Sequence, residues 1–165
     1  VYTALDGHTD IPSSLINTLS MLRDQYVRLK GELKALEKSK NSITRQVEPC
    51  RRLMDIEGVA ETTASMLYAT LGDGQQFKNG RQASAFVGLT PKQHSSGGKT
   101  VMLGIDKCSG VKDLRSPLYL GAMSYICRLP DVPTTQKQAW LIDLVKRLGF
   151  KKACIALANK TVRTA

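Results

Sequence analysis

At 165 residues the chain has room for one medium domain, or a smaller domain with an appended element, and excludes a large multidomain enzyme. Its 42% apolar content excludes global disorder, and 24 Lys+Arg against 14 Asp+Glu leave a formal charge of +10 that attracts polyanions, nucleic acid first and anionic membrane second. Aromatic residues make up only 5%, which disfavours reading single strands by base stacking alone.

The longest apolar runs, such as Ala153 to Ala158, fall far short of the roughly 20 residues of a membrane-spanning helix. The start, Val1-Tyr2-Thr3-Ala4, has no basic region followed by an apolar one, so no signal peptide is read, and without a leading Met the chain reads as a fragment or processed product. Cys50, Cys108, Cys127 and Cys154 form no C-x-x-C pair, and His8 and His94 lie far apart, so zinc-ligand spacing is missing. Reduced, mostly buried thiols and a cytosolic setting are expected.

Taken in chain order, the first element is a long helix. Leu15, Leu19, Leu22, Tyr26, Leu29, Leu33 and Leu36 alternate spacings of four and three, and Ile43 and Val47 continue the series past Lys40. A stripe of period 3.5 this narrow predicts a coiled-coil seam facing another helix; the plainer reading packs it on the chain's own globular part. Asp10, ahead of Ile11-Pro12, is the expected N-cap. Pro49 disfavours helix at Glu48 and marks a break. Short helices then follow: Thr62 to Leu71 stopped by Gly72, Arg81 to Val87 stopped by Gly88 and Pro91, and Val111 to Cys127. Residues 92 to 100 read as a polar loop, with a short strand over Val101 to Ile105. Pro130 and Pro133 form a linker to two closing helices, about Thr134 to Leu148 and Lys151 to Thr164, parted by Gly149. The class is mainly α, divided into a coiled-coil segment (1–50) and a compact helical domain (51–165).

Three segments carry candidate chemistry. Ile56-Glu57-Gly58-Val59-Ala60 resembles a helix-hairpin-helix turn, in which glycine lets backbone N–H groups approach a phosphate, although Ala60 stands where a second glycine is usual. An ordinary αα-hairpin fits the same residues. Gln93-His94-Ser95-Ser96-Gly97-Gly98-Lys99-Thr100 is no P-loop, because the required first glycine is Gln93. Two serines with a neighbouring lysine remain; a serine nucleophile needs a proton acceptor and cations around the phosphate. By spacing alone a solvated loop is the better reading of this segment. Lastly, residues 75 to 115 hold seven basic residues (Lys78, Arg81, Lys92, Lys99, Lys107, Lys112, Arg115) against Asp106 and Asp113. Residues 146 to 165 hold six, Lys151 and Lys152 among them, and no acid. Such segments suit salt-sensitive, sequence-tolerant phosphate binding.

The order of these pieces resembles a known family. The stretch from Leu53 to Met123, "LMDIEGVAETTASMLYATLGDGQQFKNGRQASAFVGLTPKQHSSGGKTVMLGIDKCSGVKDLRSPLYLGAM", is similar to the C-terminal transposase domain of the insertion-sequence one-ten family, its one-one-one-one subgroup and the Piv-type DNA invertases. The hallmarks are the "IEGVA" hairpin, "FKNGRQASAFVGLTPKQHSSGGK", and the "LGIDKCSGVKDLR" segment leading into a helix, with "KKACIALANKTVRTA" as the basic closing helix. The resemblance implies a helical domain whose serine attacks a DNA phosphodiester and forms a phosphoserine link. Ser96, directly before Gly97, matches that serine and Ser95 is the fallback; beside it, Lys99, Lys107 and Arg115 are candidates for holding the scissile phosphate, and Gly58, Lys92, Lys112, Lys151 and Lys152 are the further candidate nucleic-acid contacts from the hairpin and the basic segments. It further implies DNA and a structured guide RNA as partners, homo-oligomers through the coiled-coil helix, and action at the nucleoid of a bacterium or archaeon. No cofactor is expected in this chain; divalent metal, Mg, is implied in a separate RuvC-like domain. Asp106 stands where Thr or Ser commonly precedes the lysine, and Cys108-Ser109-Gly110 lacks the usual following Gly-Asn. Two rival readings are a non-catalytic helix-hairpin-helix DNA-binding module with an oligomerisation helix, and a structural protein dominated by that helix.

Overall fold

A computed structural model describes residues 12–96, 99–105 and 110–165, with the backbone alone at 96, 99 and 100. The fold is mainly helical, as the sequence predicts, and contacts divide the chain after Ser42.

Helix α1 runs from Ser13 to Gln46, 34 residues and about 50 Å at 1.5 Å per residue. The heptad side chains are exposed along it, Leu22 at 56%, Leu29 at 57% and Leu36 at 68% among them. Polar flanks support the helix locally: Arg28 pairs with Glu32 at i,i+4, and Lys30 lies over the Tyr26 ring. The Asp10 cap falls outside the described residues.

The helix ends one residue earlier than the stripe suggests. Val47 leaves it with extended backbone and packs on the core of the compact unit, so it belongs to no α1 seam. The break also lies before Glu48, because α2 spans Glu48–Met54 with Pro49 in its first turn, where no N–H is needed. Glu48 helps by placing its carboxylate at the helix N-terminus, bound to Arg51 at 2.9 Å and Arg52 at 2.8 Å.

Helix α3 (Glu61–Leu71) is tied to the end of α1 by Arg45, whose Nε donates to Glu61 at 3.0 Å. Helix α4 (Gly80–Val87) begins at Asn79, whose side chain accepts from the Gln82 N–H as an N-cap, while the Gln82 side chain accepts from the N–H of Lys78, one residue before the cap. It ends at Gly88 in the left-handed region, where the Leu89 N–H closes onto the Ser84 carbonyl.

The expected loop over 92 to 100 is mostly strand. β1 (Pro91–Ser96) pairs antiparallel with β2 (Lys99–Ile105), so the polar run is one arm of a hairpin and the Val101–Ile105 strand is its partner extended by two residues. Composition does not reveal β1 because the side chains of residues 91–95 are exposed and need no apolar alternation.

Helix α5 (Lys112–Ile126), α6 (Gln136–Leu148) and α7 (Phe150–Thr164) complete the unit. Helix α7 is the hub, packing on α4, α5 and α6. Leu67, Leu89, Leu114, Leu141, Cys154 and Leu157 form the fully buried centre. Cys50 and Cys154 are buried as expected of reduced thiols, and burial pushes both above the usual thiol pKa, whereas Cys127 is exposed.

Candidate nucleic-acid interface

The hairpin carries the serine segment. Its register sets Ser96 across from Lys99, Ser95 across from Thr100, and His94 across from Val101. In antiparallel pairs, facing residues lie about 4.5–5.5 Å apart between α-carbons, so the predicted nucleophile and its nearest predicted cation share one rung at the hairpin end. Ser95 is exposed, as are His94 and Lys92 on the same strand. Gly97, Asp106, Lys107 and Cys108 fall outside the described residues.

The hairpin base is fixed by three elements. Gly88-Leu89 is buried, with the Asn159 amide of α7 donating to the Leu89 carbonyl at 3.1 Å and Arg115 of α5 reaching the Gly88 carbonyl at 3.4 Å. A side chain at Gly110, with φ +79°, would sit 2.5 Å from the Val87 carbonyl, so glycine is required where the chain returns from β2 against α4. Arg115, read from the sequence as a phosphate ligand, is half-buried and contributes to this anchoring.

Beside the base lies an open groove of about 1070 Å³ between β2, α5 and α7. Its floor is apolar, with Met102, Leu103, Leu120 and Ile155; Lys112, Arg115, Lys151 and Lys152 also line it, and among the described residues no acid does. Four separately predicted cations, some 40 residues apart in sequence, thus meet in one place. Lys112, Lys151 and Lys152 are exposed and make no ion pair among the described residues. A second, smaller depression adjoins the groove, sharing Leu89, Pro91, Lys152 and Ile155 with it, and adds Lys160 and Arg163, with Lys160 Nζ 4.7 Å from the centre of the Trp140 ring.

Gly58 sits apart from the groove. Its φ of +83° requires glycine, and a Cβ there would lie 2.9 Å from the Gly121 carbonyl of α5. Packing of the α2–α3 turn on α5 therefore accounts for this residue on its own. Glu57 in the same turn is ion-paired to Lys137 of α6, which holds its carboxyl below the usual pKa. Asn159, Gly121 and the apolar floor were missed from the sequence. Asn159 looks like any polar residue of an amphipathic helix, and exposed Leu120 has no signal beyond its phase on α5. Among the described residues, no group of three His, Cys, Asp or Glu is placed to hold a metal ion, and no helix is long and apolar enough to cross a membrane.

Comparison with known proteins now bears on this geometry. Over 129 residues, 78% of this chain and 33% of the relative, the sequence is 45% identical to a transposase for insertion sequence element IS1111A from Coxiella burnetii. Over 156 residues, 94% of this chain and 46% of the relative, it is 33% identical to a transposase for insertion sequence element IS1328 from Yersinia enterocolitica. A pilin gene-inverting protein of Moraxella lacunata is 27% identical over 114 residues, 62% of this chain and 35% of the relative. The chain thus spans between a third and a half of the length of these curated relatives. The family profile described as transposase IS116/IS110/IS902 matches residues 50–138, which is most of the compact unit and includes the whole hairpin and α5. The chain belongs to the IS116/IS110/IS902 transposase family.

Proposed function

We propose that this chain is the nucleophile-bearing part of a DNA transposase or site-specific recombinase, with Ser96 attacking the scissile phosphodiester. The observation that carries the reading is the hairpin register, which sets Lys99 across from Ser96 at the end of an arm whose base adjoins the cationic groove. In the proposed step the Ser96 oxygen bonds to phosphorus, one bridging P–O bond breaks, and the departing deoxyribose oxygen takes a proton while the serine proton passes to a base. Attack by a deoxyribose hydroxyl of another strand then restores the serine, so phosphodiester bonds are exchanged without net hydrolysis. Lys99 and Lys107 would balance charge on the phosphate, and Ser95 is the alternative nucleophile.

Lys92, Lys112, Lys151 and Lys152 would follow nucleic-acid backbones. Gly58 keeps a phosphate-approach role in this reading only alongside its packing role. Guide RNA pairing would supply sequence readout, and the exposed heptad stripe of α1 would pair copies of the chain through a coiled coil. A divalent metal would be held by a RuvC-like domain outside these 165 residues, and no step here passes through it. The protein would act on DNA at the bacterial nucleoid.

The test uses a full-length transposase containing this sequence, with guide RNA and both DNA substrates. Ser96→Ala is expected to abolish strand exchange and any covalent protein–DNA adduct while DNA binding persists. Retention of both activities overturns the assignment.

A further inference from the structure

We infer that the groove between β2, α5 and α7 holds an unstacked nucleotide of a single strand, its base on the apolar floor and its phosphates on the lysine rim. This deepens the proposed function, on which it rests for the source of the strand.

The floor is unusually apolar for a surface that faces a polyanion. Met102 is 63% exposed, Leu103 48% and Leu120 55%, although a basic rim stands beside them. Duplex DNA answers only half of that chemistry. Its outer surface offers phosphates to Lys112, Lys151 and Lys152, but its base faces are stacked away from any side chain. A nucleotide pulled out of the stack offers both, an apolar base face for the leucines and a flanking phosphate on either side for the lysines. The groove volume of about 1070 Å³ is of the order of a small-molecule pocket, suited to one or two nucleotides. Exchange of strands requires such nucleotides, because a strand that leaves one partner to pair with another must be unstacked in between. An acidic amphipathic protein segment is the competing occupant, and it makes a different prediction.

The experiment measures binding of the 165-residue chain to a fluorescent 20-nucleotide single strand and to the same sequence as duplex, across a salt series and without cleavage. Leu120→Asn, at a half-exposed position, is expected to weaken single-strand binding about fivefold and duplex binding less than twofold. Met102→Gln serves as a second, independent floor variant with the same expectation. Lys151→Ala combined with Lys152→Ala is expected to weaken both forms and to lower the salt slope by about 1.4 for the single strand. A 2-aminopurine placed in the single strand is expected to brighten on binding the unsubstituted chain, and to brighten less with either floor variant. Equal losses for both DNA forms with the floor variants, no loss at all with them, or binding of an acidic amphipathic peptide that displaces no single strand would each overturn the inference. Its failure is separable from that of the serine assignment, since these measurements involve no covalent chemistry and the Ser96→Ala adduct test involves no floor residue.

Discussion

Replacement of Gly121 by alanine sets two well-characterised effects against each other. Gly121 lies inside α5, where alanine is favoured over glycine by about 1 kcal/mol when the site is open. It is not open: a Cβ would lie 2.0 Å from the Gly58 carbonyl oxygen, and an ordinary contact needs about 3.4 Å. Relief therefore requires moving the α2–α3 turn about 1.4 Å away from α5. The obstacle is backbone held by the ion pair of Glu57 with Lys137, so it cannot swing aside like a side chain. Separation also loosens buried Val59 and Ala122 on either side of the contact. Overpacking against backbone lies at the upper end of its usual range, about 3 kcal/mol, which leaves a net loss of about 2 kcal/mol and a fall in Tm of about 5–10 °C. Trp140 is the single tryptophan and reports on the compact unit, so guanidinium unfolding followed by its fluorescence measures the change. Gly31→Ala is the matched control, since nothing lies within 4 Å of a Cβ there; it is expected to raise the helical signal of α1 without lowering the Trp140 transition. A Gly121→Ala chain as stable as the original, or more stable, would refute the close glycine–glycine approach.

Three further outcomes follow from the same geometry. Asn159→Ala removes the amide donor from the buried Leu89 carbonyl and is expected to cost about 1–2 kcal/mol, read by the same fluorescence transition; Asn159→Asp, which retains no N–H, should not restore it. Glu57 has its carboxyl pKa lowered, first by the Lys137 hydrogen bond, so it binds fewer protons folded than unfolded. Its contribution is present above about pH 4.5, is lost as pH falls through the depressed folded value, and should vanish from the stability–pH curve in Glu57→Gln. In a Cys108→Ser background, one of three thiols, Cys127, is expected to react quickly with a thiol reagent at pH 8. Cys50 and Cys154 should react only on unfolding, as mass spectrometry of labelled peptides will register.

The helices were legible because their ends are written in local chemistry. Gly72, Gly88 and Gly149 stop helices where the sequence places them, and Asn79 caps α4. The heptad stripe gave α1 but overran it at Val47, since periodicity registers an apolar residue without saying which surface takes it. β1 was illegible for the opposite reason: an exposed strand such as Lys92-Gln93-His94-Ser95 is held by backbone pairing to β2, and backbone pairing leaves no mark in side-chain pattern. The cations of the groove were each visible, yet their convergence depends on α7 packing against α5, a contact between residues about 40 positions apart. Gly58 illustrates a different limit. From the turn, the glycine reads as room for a phosphate to approach; its close packing on Gly121 emerges only when the turn meets α5.

The proposed strand exchange turns on one oxygen atom, the Ser96 hydroxyl, and peptide mapping locates it directly. A full-length enzyme containing this sequence, incubated with guide RNA and DNA substrate, then quenched and digested with protease and nuclease, is expected to yield one peptide carrying a nucleotide through a phosphoserine at Ser96. A nucleotide on any other residue, or strand exchange proceeding with no modified peptide, would contradict Ser96 as the nucleophile.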